Sequence, residues 1–323
     1  MKGVKLERFV LLLIAMILLG YWLPGIENFL PLEQISTFGI AGIFFFYGLK
    51  LSPEQLKKGL SNWKLHVLVQ SFTFIIFPVI VLAILPLIKT QEYQTLWLAV
   101  FYLAALPSTV SSSVVMVSLA KGNVPGAIFN ASISGLIGII ITPLWMGIFI
   151  EASKGGNFEF GAILLELVIK ILLPVLLGLI LHRFWGGFAQ KHKRQLTMFD
   201  KAVVLIIVYK SFSHSFSSGI FEGINALELT VVGFGVVILF FIAYYLIFFI
   251  ANKLKFTRED KIAALFCGSK KSLVHGTVFS NVLFAGMSSA GIFLVPIMIY
   301  HAFQLFIISI IAQRYGSELK SDS

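Results

Sequence analysis

Two polar interruptions lie at corresponding places in a chain that is otherwise strongly apolar. Residues 105–113 read Ala-Leu-Pro-Ser-Thr-Val-Ser-Ser-Ser, and residues 266–272 read Phe-Cys-Gly-Ser-Lys-Lys-Ser. Hydrophobic residues make up 58% and charged residues 12% of the 323 residues, whereas soluble domains contain about 25% charged residues. A broken backbone is tolerated at membrane depth only where it is buried in protein or lines a wet cavity. The chain is therefore predicted to be an all-α membrane protein with two buried breaks.

Apolar segments near the length of a membrane span recur along the chain. A transmembrane helix needs about 20 predominantly apolar residues. The polar connection at 151–158 separates five predicted spans from five, so the halves 1–150 and 151–323 would enter the membrane in opposite orientations, as an inverted repeat requires. Each half carries its interruption in its fourth span, which is the pattern of a transporter with a binding site near the midplane. The ten predicted spans cover residues 9–24, 35–49, 65–88, 96–120, 124–150, 160–181, 202–220, 227–251, 261–281 and 290–312.

Lysine and arginine collect in alternate connections between these spans. The opposite connections hold only Lys89 and Lys154. Basic residues accumulate in short cytoplasmic loops, so both termini are predicted to be cytoplasmic, and the composition is compatible with a bacterial plasma (inner) membrane. The loops that set the orientation thereby account for the net charge of +10. Because the sequence has no aromatic-basic recognition module, we predict no nucleic-acid partner. The basic connections are residues 2–8, 50–64, 121, 183–201, 253–261 and 314–320.

The first interruption combines a helix breaker with hydroxyl groups. Pro107 lacks an N–H and would free carbonyl groups in the middle of the membrane. Because hard cations prefer oxygen ligands, these carbonyl groups could form a sodium site with the hydroxyls of Ser111, Ser112 and Ser113. The alternative is that the serines bond to their own helix or allow close helix packing.

Asn130 and Ser132 lie in the span that follows the first interruption. A buried amide must find hydrogen-bond partners, so Asn130 is either a ligand or part of a structural hydrogen bond. As a ligand, Asn130 would complete a predicted sodium site with Ser112 and Ser113.

Four motifs in this chain are the most specific ones that it contains. They are LPSTVSSS at 106–113, GNV at 122–124 with NAS at 130–132, FCGSKKSL at 266–273 and YHAFQ at 300–304. With them the chain resembles the bile acid:sodium symporters of solute carrier family 10, in the branch of member 7 and its bacterial relatives. The resemblance implies ten transmembrane helices as two inverted five-helix repeats, sorted into a panel domain (spans 1, 2, 6 and 7) and a core domain (spans 3, 4, 5, 8, 9 and 10). Broken helices 4 and 9 would cross near the midplane, and substrate would bind between the domains.

Some positions depart from the pattern of that family. Bile-acid carriers have an acidic residue and a glutamine in the ninth span that help to hold sodium, and these positions are Cys267 and Lys271 here. Their third-span glutamine falls on Thr73, with Gln70 about one turn away. The comparison with the family therefore implies that the usual sodium ligands are altered.

Two lysines at membrane depth mark the second interruption as a candidate site, since intramembrane charges are costly. Lys270 or Lys271 could hold an anionic substrate, or could act as a tethered cation in a vacated sodium site that loads and releases a proton. The alternative is that the pair caps or orients the broken helix. The other candidate ligands are Ser269, Ser272 and His275, of which the histidine could relay a proton. His301 and Gln304 are predicted to brace the crossing, and Gly268 is predicted to support the site.

The predicted function is secondary active transport of an organic anion or a small amphipathic solute by alternating access. Sodium is the coupling ion that the family implies, and a proton is the alternative that the lysines suggest. A second hypothesis, implied by the member 7 branch, is a non-transporting regulator of ion (calcium) homeostasis. No enzyme is predicted, because the sequence has no paired-carboxylate, Ser-His or metal constellation, and no cofactor is expected beyond sodium. A monomer in the lipid bilayer is compatible with this architecture.

Overall fold

The computed structural model describes residues 8–26, 29–52, 54, 59–60, 62–88, 91–153, 161, 165–166, 168–219, 226–285 and 287–321. Within that part of the chain the regular structure is helical and contains no strand, which confirms the predicted all-α class. The α-helices are α1 (Arg8–Trp22), α2 (Leu32–Lys50), α3 (Trp63–Ser71), α4 (Phe77–Leu82), α5 (Gln91–Ala105), α6 (Ser111–Leu119), α7 (Val124–Ser153), α8 (Leu173–Lys191), α9 (Lys193–Ser217), α10 (Ala226–Lys253), α11 (Arg258–Gly268), α12 (Leu273–Leu283) and α13 (Ala290–Ser321).

Six helical stretches in the described residues are long and apolar enough to cross a membrane. These stretches are Leu32–Lys50, Trp63–Leu87, Val124–Phe149, Val168–Lys191, Ala226–Lys253 and Ala290–Ser317. The predicted membrane protein is confirmed at this level, whereas the number of ten crossings and the inverted relation of the two halves stay predictions. The other predicted spans coincide with shorter or more polar helices. The first part of the predicted sixth span lies largely outside the described residues.

The start of α9 is one helix boundary that differs from the prediction. This helix begins at Lys193, nine residues before the predicted span at 202–220. Lys, Arg, Gln and Leu are good helix formers, so the charged connection continues as helix although it is too polar to lie in hydrocarbon. Hydropathy therefore locates the apolar part of a helix and misses its polar extension.

The described residues divide into two compact units, each made of several chain segments. Unit 1 takes its residues from Met1–Ser52, Gly147–Leu229 and Val274–Val295. Unit 2 takes its residues from Pro53–Met146, Thr230–Leu273 and Pro296–Ser323. Both polar interruptions, at 105–113 and 266–272, lie in unit 2. The helix that follows the second interruption, α12, belongs to unit 1 from Val274 onward.

In unit 1, a pair of glycines brings α2 and α8 into backbone contact. A Cβ atom on Gly48 would lie 2.1 Å from the carbonyl oxygen of Val175, and one on Gly178 would lie 2.1 Å from that of Phe45. Small residues are enriched at membrane helix interfaces because they permit such close approach. The same unit contains the ion pair of Lys50 with Asp200, at 3.2 Å.

Gly178→Ala is expected to destabilise the protein by about 1–3 kcal/mol, the usual cost of overpacking. The added methyl group meets backbone rather than a side chain that could turn away, so the two helices must separate. Thermal unfolding of the detergent-solubilised protein measures the effect. Gly187→Ala in the same helix is the control, because nothing lies within 4 Å of its Cβ position. Equal melting temperatures for the two variants would contradict the close helix contact.

In unit 2, the Trp63–Leu87 stretch is not a regular α-helix. One turn of π-helix, Phe72–Ile76, separates α3 from α4, and Pro78 lies in the first turn of α4. The Phe77 N–H donates to the carbonyl oxygen of Phe72, five residues back. π-Turns inside α-helices are frequent at functional sites, and this one contributes a ligand to the site described next.

Candidate functional site

The first interruption breaks the helical hydrogen bonding between α5 and α6. Because α5 ends at Ala105 and a helix leaves its last carbonyl groups without helical partners, residues 104–107 need donors from elsewhere. Donors from distant segments supply all four. Ala104 and Leu106 accept from Lys271 Nζ, Ala105 accepts from Thr142 Oγ1, and Pro107 accepts from the Ser272 backbone N–H.

The second interruption receives its donors partly from the first. Ser108 Oγ donates to the carbonyl oxygen of Cys267 at 2.5 Å, and Ser113 Oγ donates to that of Phe266 at 3.0 Å. Tyr300 Oη donates to the carbonyl oxygen of Ser269 at 2.7 Å. The two breaks are thus bonded to each other within unit 2, and each satisfies backbone groups that the other leaves free.

The ammonium group of Lys271 occupies a cradle of carbonyl oxygens. The side chain is 1% exposed, and Nζ donates to the carbonyl oxygens of Thr73 at 2.8 Å, Ala104 at 2.6 Å and Leu106 at 2.9 Å. It also lies 4.3 Å from the centroid of the Phe77 ring, where the negative face of the ring attracts a cation. An ammonium has three donors, and all three are used by oxygen atoms of the kind that ligate hard cations.

The carbonyl oxygen of Thr73 is available because of the π-turn. In an α-helix it would accept from the Phe77 N–H, but that group bonds to Phe72 instead. In the π register its partner would be residue 78, which is proline and has no N–H. The Thr73 hydroxyl is itself committed to the carbonyl oxygen of Val69 at 2.8 Å. The family position predicted at Thr73 therefore contributes through its backbone rather than its side chain.

The side-chain amide of Gln304 forms two hydrogen bonds with the backbone of Lys271. Oε1 accepts from the Lys271 N–H at 2.9 Å, and Nε2 donates to the Lys271 carbonyl oxygen at 2.8 Å. Nε2 also lies 3.1 Å from His301 Nδ1. The bracing role predicted for Gln304 and His301 stays a prediction, with which these contacts are compatible.

Lys270 faces a chain of hydroxyl groups. Its buried Nζ donates to Ser112 Oγ at 2.8 Å, and Ser112 Oγ donates to Thr109 Oγ1 at 3.0 Å. Thr109 Oγ1 lies 2.8 Å from Ser113 Oγ. Ser112 is half-buried, so this chain is accessible at one end, whereas the Ser111 side chain lies outside the described part.

Asn130 belongs to a second polar network. Its Nδ2 donates to the carbonyl oxygen of Gly126 at 2.9 Å and lies 2.9 Å from His66 Nδ1, while Gln70 Nε2 donates to Asn130 Oδ1 at 3.2 Å. His66 Nε2 lies 2.8 Å from the carbonyl oxygen of Gly59. His66 therefore links the Asn130 side chain to the carbonyl oxygen of Gly59. The predicted ligands thus fall into two networks, one with Ser112 and Ser113 and one with Asn130.

The remaining predicted residues have defined places. Ser132 and Ser272 are buried, and Cys267 Sγ lies 3.8 Å from the carbonyl oxygen of Ala127. A Cβ on Gly268 would lie 2.9 Å from Ile247 Cδ1, which is the movable end of a side chain. Ser269 Oγ donates to the carbonyl oxygen of Leu265 at 2.6 Å. The carbonyl oxygen of Ser269 accepts from Tyr300.

His275 lies in unit 1, whereas Lys271 lies in unit 2. Its ring packs against three aromatic rings, those of Phe44, Tyr47 and Phe279, with centroids 5.6, 5.8 and 5.7 Å away. The predicted proton relay through His275 stays a prediction.

Sequence reasoning missed the roles of His66 and Thr142, which bond to Asn130 and to the carbonyl oxygen of Ala105. Ser134 Oγ accepts from the Ser108 N–H at 2.9 Å. For His66 and Thr142, the only available signal was a polar side chain in a predicted span, which by itself is not distinctive. Among the described residues, no group of three His, Cys, Asp or Glu side chains could hold a metal ion.

Comparison with known proteins identifies the group to which this site belongs. Residues 7–317 match the SBF-like CPA transporter family. The chain is 35% identical over 311 residues to the uncharacterized protein PA2026 of Pseudomonas aeruginosa and 34% identical over 313 residues to the putative symporter YfeH of Escherichia coli, in each case covering 96% of this chain and 93% of the relative. It is 30% identical over 333 residues to sodium/bile acid cotransporter 7-B of Xenopus laevis, covering 99% and 95%.

These relatives confirm the resemblance found in the motifs, including its member 7 branch. The family is one of membrane transporters and not of enzymes. With the apolar helices, the match also places the protein in a membrane. The chain therefore belongs to the SBF-like CPA transporter family.

Proposed function

We propose that this protein is a secondary active transporter of an organic anion or a small amphipathic solute, in which the Lys271 ammonium takes the place of a coupling sodium ion. The observation that carries the proposal is the cradle of three carbonyl oxygens around Nζ. Main-chain carbonyls freed at broken helices are the ligands that transporters offer to sodium. Here those oxygens already hold a cation that is part of the chain.

The substitution pattern supports the same reading. Carriers that the chain resembles have an acidic residue and a glutamine where this chain has Cys267 and Lys271. With the negative charge lost and a positive one gained, the site without any bound ion carries one more positive charge than the family site with one sodium ion bound. A second cation beside the ammonium would be repelled.

The cradle also supports coupling to a proton. A neutral amine has two N–H groups and a lone pair, so it cannot satisfy the three carbonyl oxygens that the ammonium satisfies. Loss of the proton would therefore leave at least one of the carbonyl oxygens of Thr73, Ala104 and Leu106 without this donor and weaken the hold on its segment. Release and recapture of this cation would be a way to favour one conformation over another during alternating access.

Lys270 is the proposed contact for the anionic group of the solute. Its ammonium and the half-buried Ser112 hydroxyl are adjacent, and a charged donor beside a hydroxyl suits a carboxylate or sulfonate. This gives the two lysines different roles, one as a tethered cation and one as an anion ligand.

Uptake into proteoliposomes tests the proposal, with taurocholate and a panel of small carboxylates as solutes. We expect uptake that is unchanged when choline replaces sodium and that responds to a pH gradient. The variant Cys267→Glu/Lys271→Gln restores the family residues and is expected to gain dependence on sodium. Sodium-dependent uptake by the parent protein would overturn the tethered-cation proposal, and no uptake of any solute under any gradient would favour the regulator hypothesis.

Lys270→Met is expected to raise the KM for the transported anion by about tenfold to a hundredfold, because a hydrogen bond to a charged group contributes about 1.5–3 kcal/mol. The dependence of uptake on pH should persist, since Lys271 is intact. Initial rates across a series of concentrations measure both properties. Lys193→Met removes an exposed lysine and serves as the control. An unchanged KM would show that Lys270 does not bind the transported anion.

A further inference from the structure

A cavity in unit 2 is lined by residues that belong to neither interruption. It has a volume of about 290 Å³ and is lined by Tyr244 and Tyr245 of α10 and by Ile311, Arg314 and Tyr315 of α13. The polar groups in this lining are three phenols and one guanidinium, and no lining residue is acidic. The phenols of Tyr244 and Tyr315 are hydrogen-bonded to each other. The Tyr245 hydroxyl and the Arg314 guanidinium are therefore the donors that suit an oxyanion.

The cavity lies beside a basic connection of the chain. Arg258 donates from Nη2 to the carbonyl oxygen of Tyr315, and its guanidinium lies 5.7 Å from the centroid of the Tyr315 ring. The exposed lysines Lys253 and Lys255 follow at the end of α10. The nearby carboxylate of Asp260 accepts hydrogen bonds from the side-chain amides of Asn62 and Asn123, each at 2.6 Å.

Apolar stripes lead from the cavity along both helices. On α10, Ile238, Ile242, Tyr245 and Phe249 are 56%, 40%, 62% and 64% exposed, and their spacing puts them on one face. On α13, Phe306 and Ile310 are 43% and 44% exposed, and Arg314 comes one turn later on the same face. In a membrane-spanning stretch these faces contact acyl chains. The two faces form a surface that is apolar along its length, and the cavity with Arg314 lies at one end of it.

We infer that this cavity binds the phosphate group of an anionic phospholipid, whose acyl chains lie along the two stripes. Basic pockets between transmembrane helices on the cytoplasmic side are suited to lipid phosphates, and tyrosine prefers the membrane interface. A free phosphate would use the same donors but gain nothing from the stripes. The ligand class is therefore an anionic glycerophospholipid, with phosphatidylglycerol as the test case.

Native mass spectrometry of the full chain from mixed micelles containing equal amounts of phosphatidylglycerol and phosphatidylcholine tests the inference. We expect preferential retention of phosphatidylglycerol, and a preference reduced about fivefold in Arg314→Gln, because one arginine near a lipid surface accounts for about that factor. Tyr245→Phe removes a phenol donor with little risk to folding and should reduce the preference in the same direction. Arg194→Gln, an exposed arginine in another basic connection, should leave it unchanged.

Two results would overturn the inference. Equal retention of both lipids by the parent protein, or an equal loss of preference in Arg194→Gln, would show that the cavity does not select the lipid. Thermal stabilisation by inorganic phosphate alone that is lost in Arg314→Gln would assign the site to a soluble phosphate instead of a phospholipid. Neither measurement depends on transport, so the result is independent of the proposed function.

Discussion

Replacing Lys271 with methionine is expected to lower the free energy of unfolding by about 2–4 kcal/mol and to create a stabilising response to sodium. Each of the three cradle carbonyls loses a buried donor, at about 1–3 kcal/mol per group. Removing the ammonium also removes its desolvation cost, so the net loss is smaller than the sum. Methionine is unbranched and comparable in length, which limits the change in packing.

The sodium response is the more informative half of this prediction. Three carbonyl oxygens without a donor form a partial site for a hard cation, and a ligand that binds only the folded state raises its melting temperature. Thermal unfolding in sodium chloride and in choline chloride of equal ionic strength measures the response. Lys193→Met, at an exposed lysine, should behave like the parent protein. A Lys271→Met protein with unchanged stability and no sodium response would contradict the proposal that the three carbonyl oxygens form a cation site.

Gln304→Leu is expected to cost about 2–5 kcal/mol, because the N–H and the carbonyl oxygen of Lys271 both lose their partner and each buried orphan costs about 1–3 kcal/mol. No buried charge is removed in exchange. The backbone at the second interruption would then be free to shift, and Lys271 Nζ would be misplaced relative to the cradle. Uptake should fall together with stability.

Two matched variants make the Gln304 prediction specific. Gln304→Glu keeps an acceptor for the Lys271 N–H but loses the donor to its carbonyl oxygen and buries a carboxyl group, which is costly when ionised, so a stability below that of the parent is expected. Gln313→Leu changes an exposed glutamine of the same helix and should leave both stability and uptake near those of the parent. If the two leucine variants unfold at the same temperature, the paired hydrogen bonds to Lys271 do not stabilise the protein.

Much of the fold follows from local chemistry. Hydropathy located the long apolar helices because an apolar stretch of sufficient length has few alternatives in a membrane. Pro107 indicated where α5 ends because proline cannot continue the hydrogen-bond pattern. The polar extension of α9 back to Lys193 was missed because the prediction measured hydrophobicity and not helix propensity.

The candidate site was only partly accessible to the same reasoning. Lys270 and Lys271 stood out because charge is costly at membrane depth, and Gln304 stood out through its motif. The contribution of the Thr73 carbonyl could not be predicted, because it depends on the hydrogen-bond register of a π-turn. His66 was missed because a single histidine near a helix start has no distinguishing local pattern.

The sequence by itself determined that this is an all-helical membrane protein with two buried polar breaks, and its motifs determined the family. Composition and proline chemistry act locally, so they can be read without coordinates. Only the tertiary structure decided that Lys271 meets three carbonyl oxygens while Lys270 meets Ser112. The two lysines are neighbours of the same type, and the difference between them arises from segments up to 198 residues away that the fold brings into hydrogen-bonding distance.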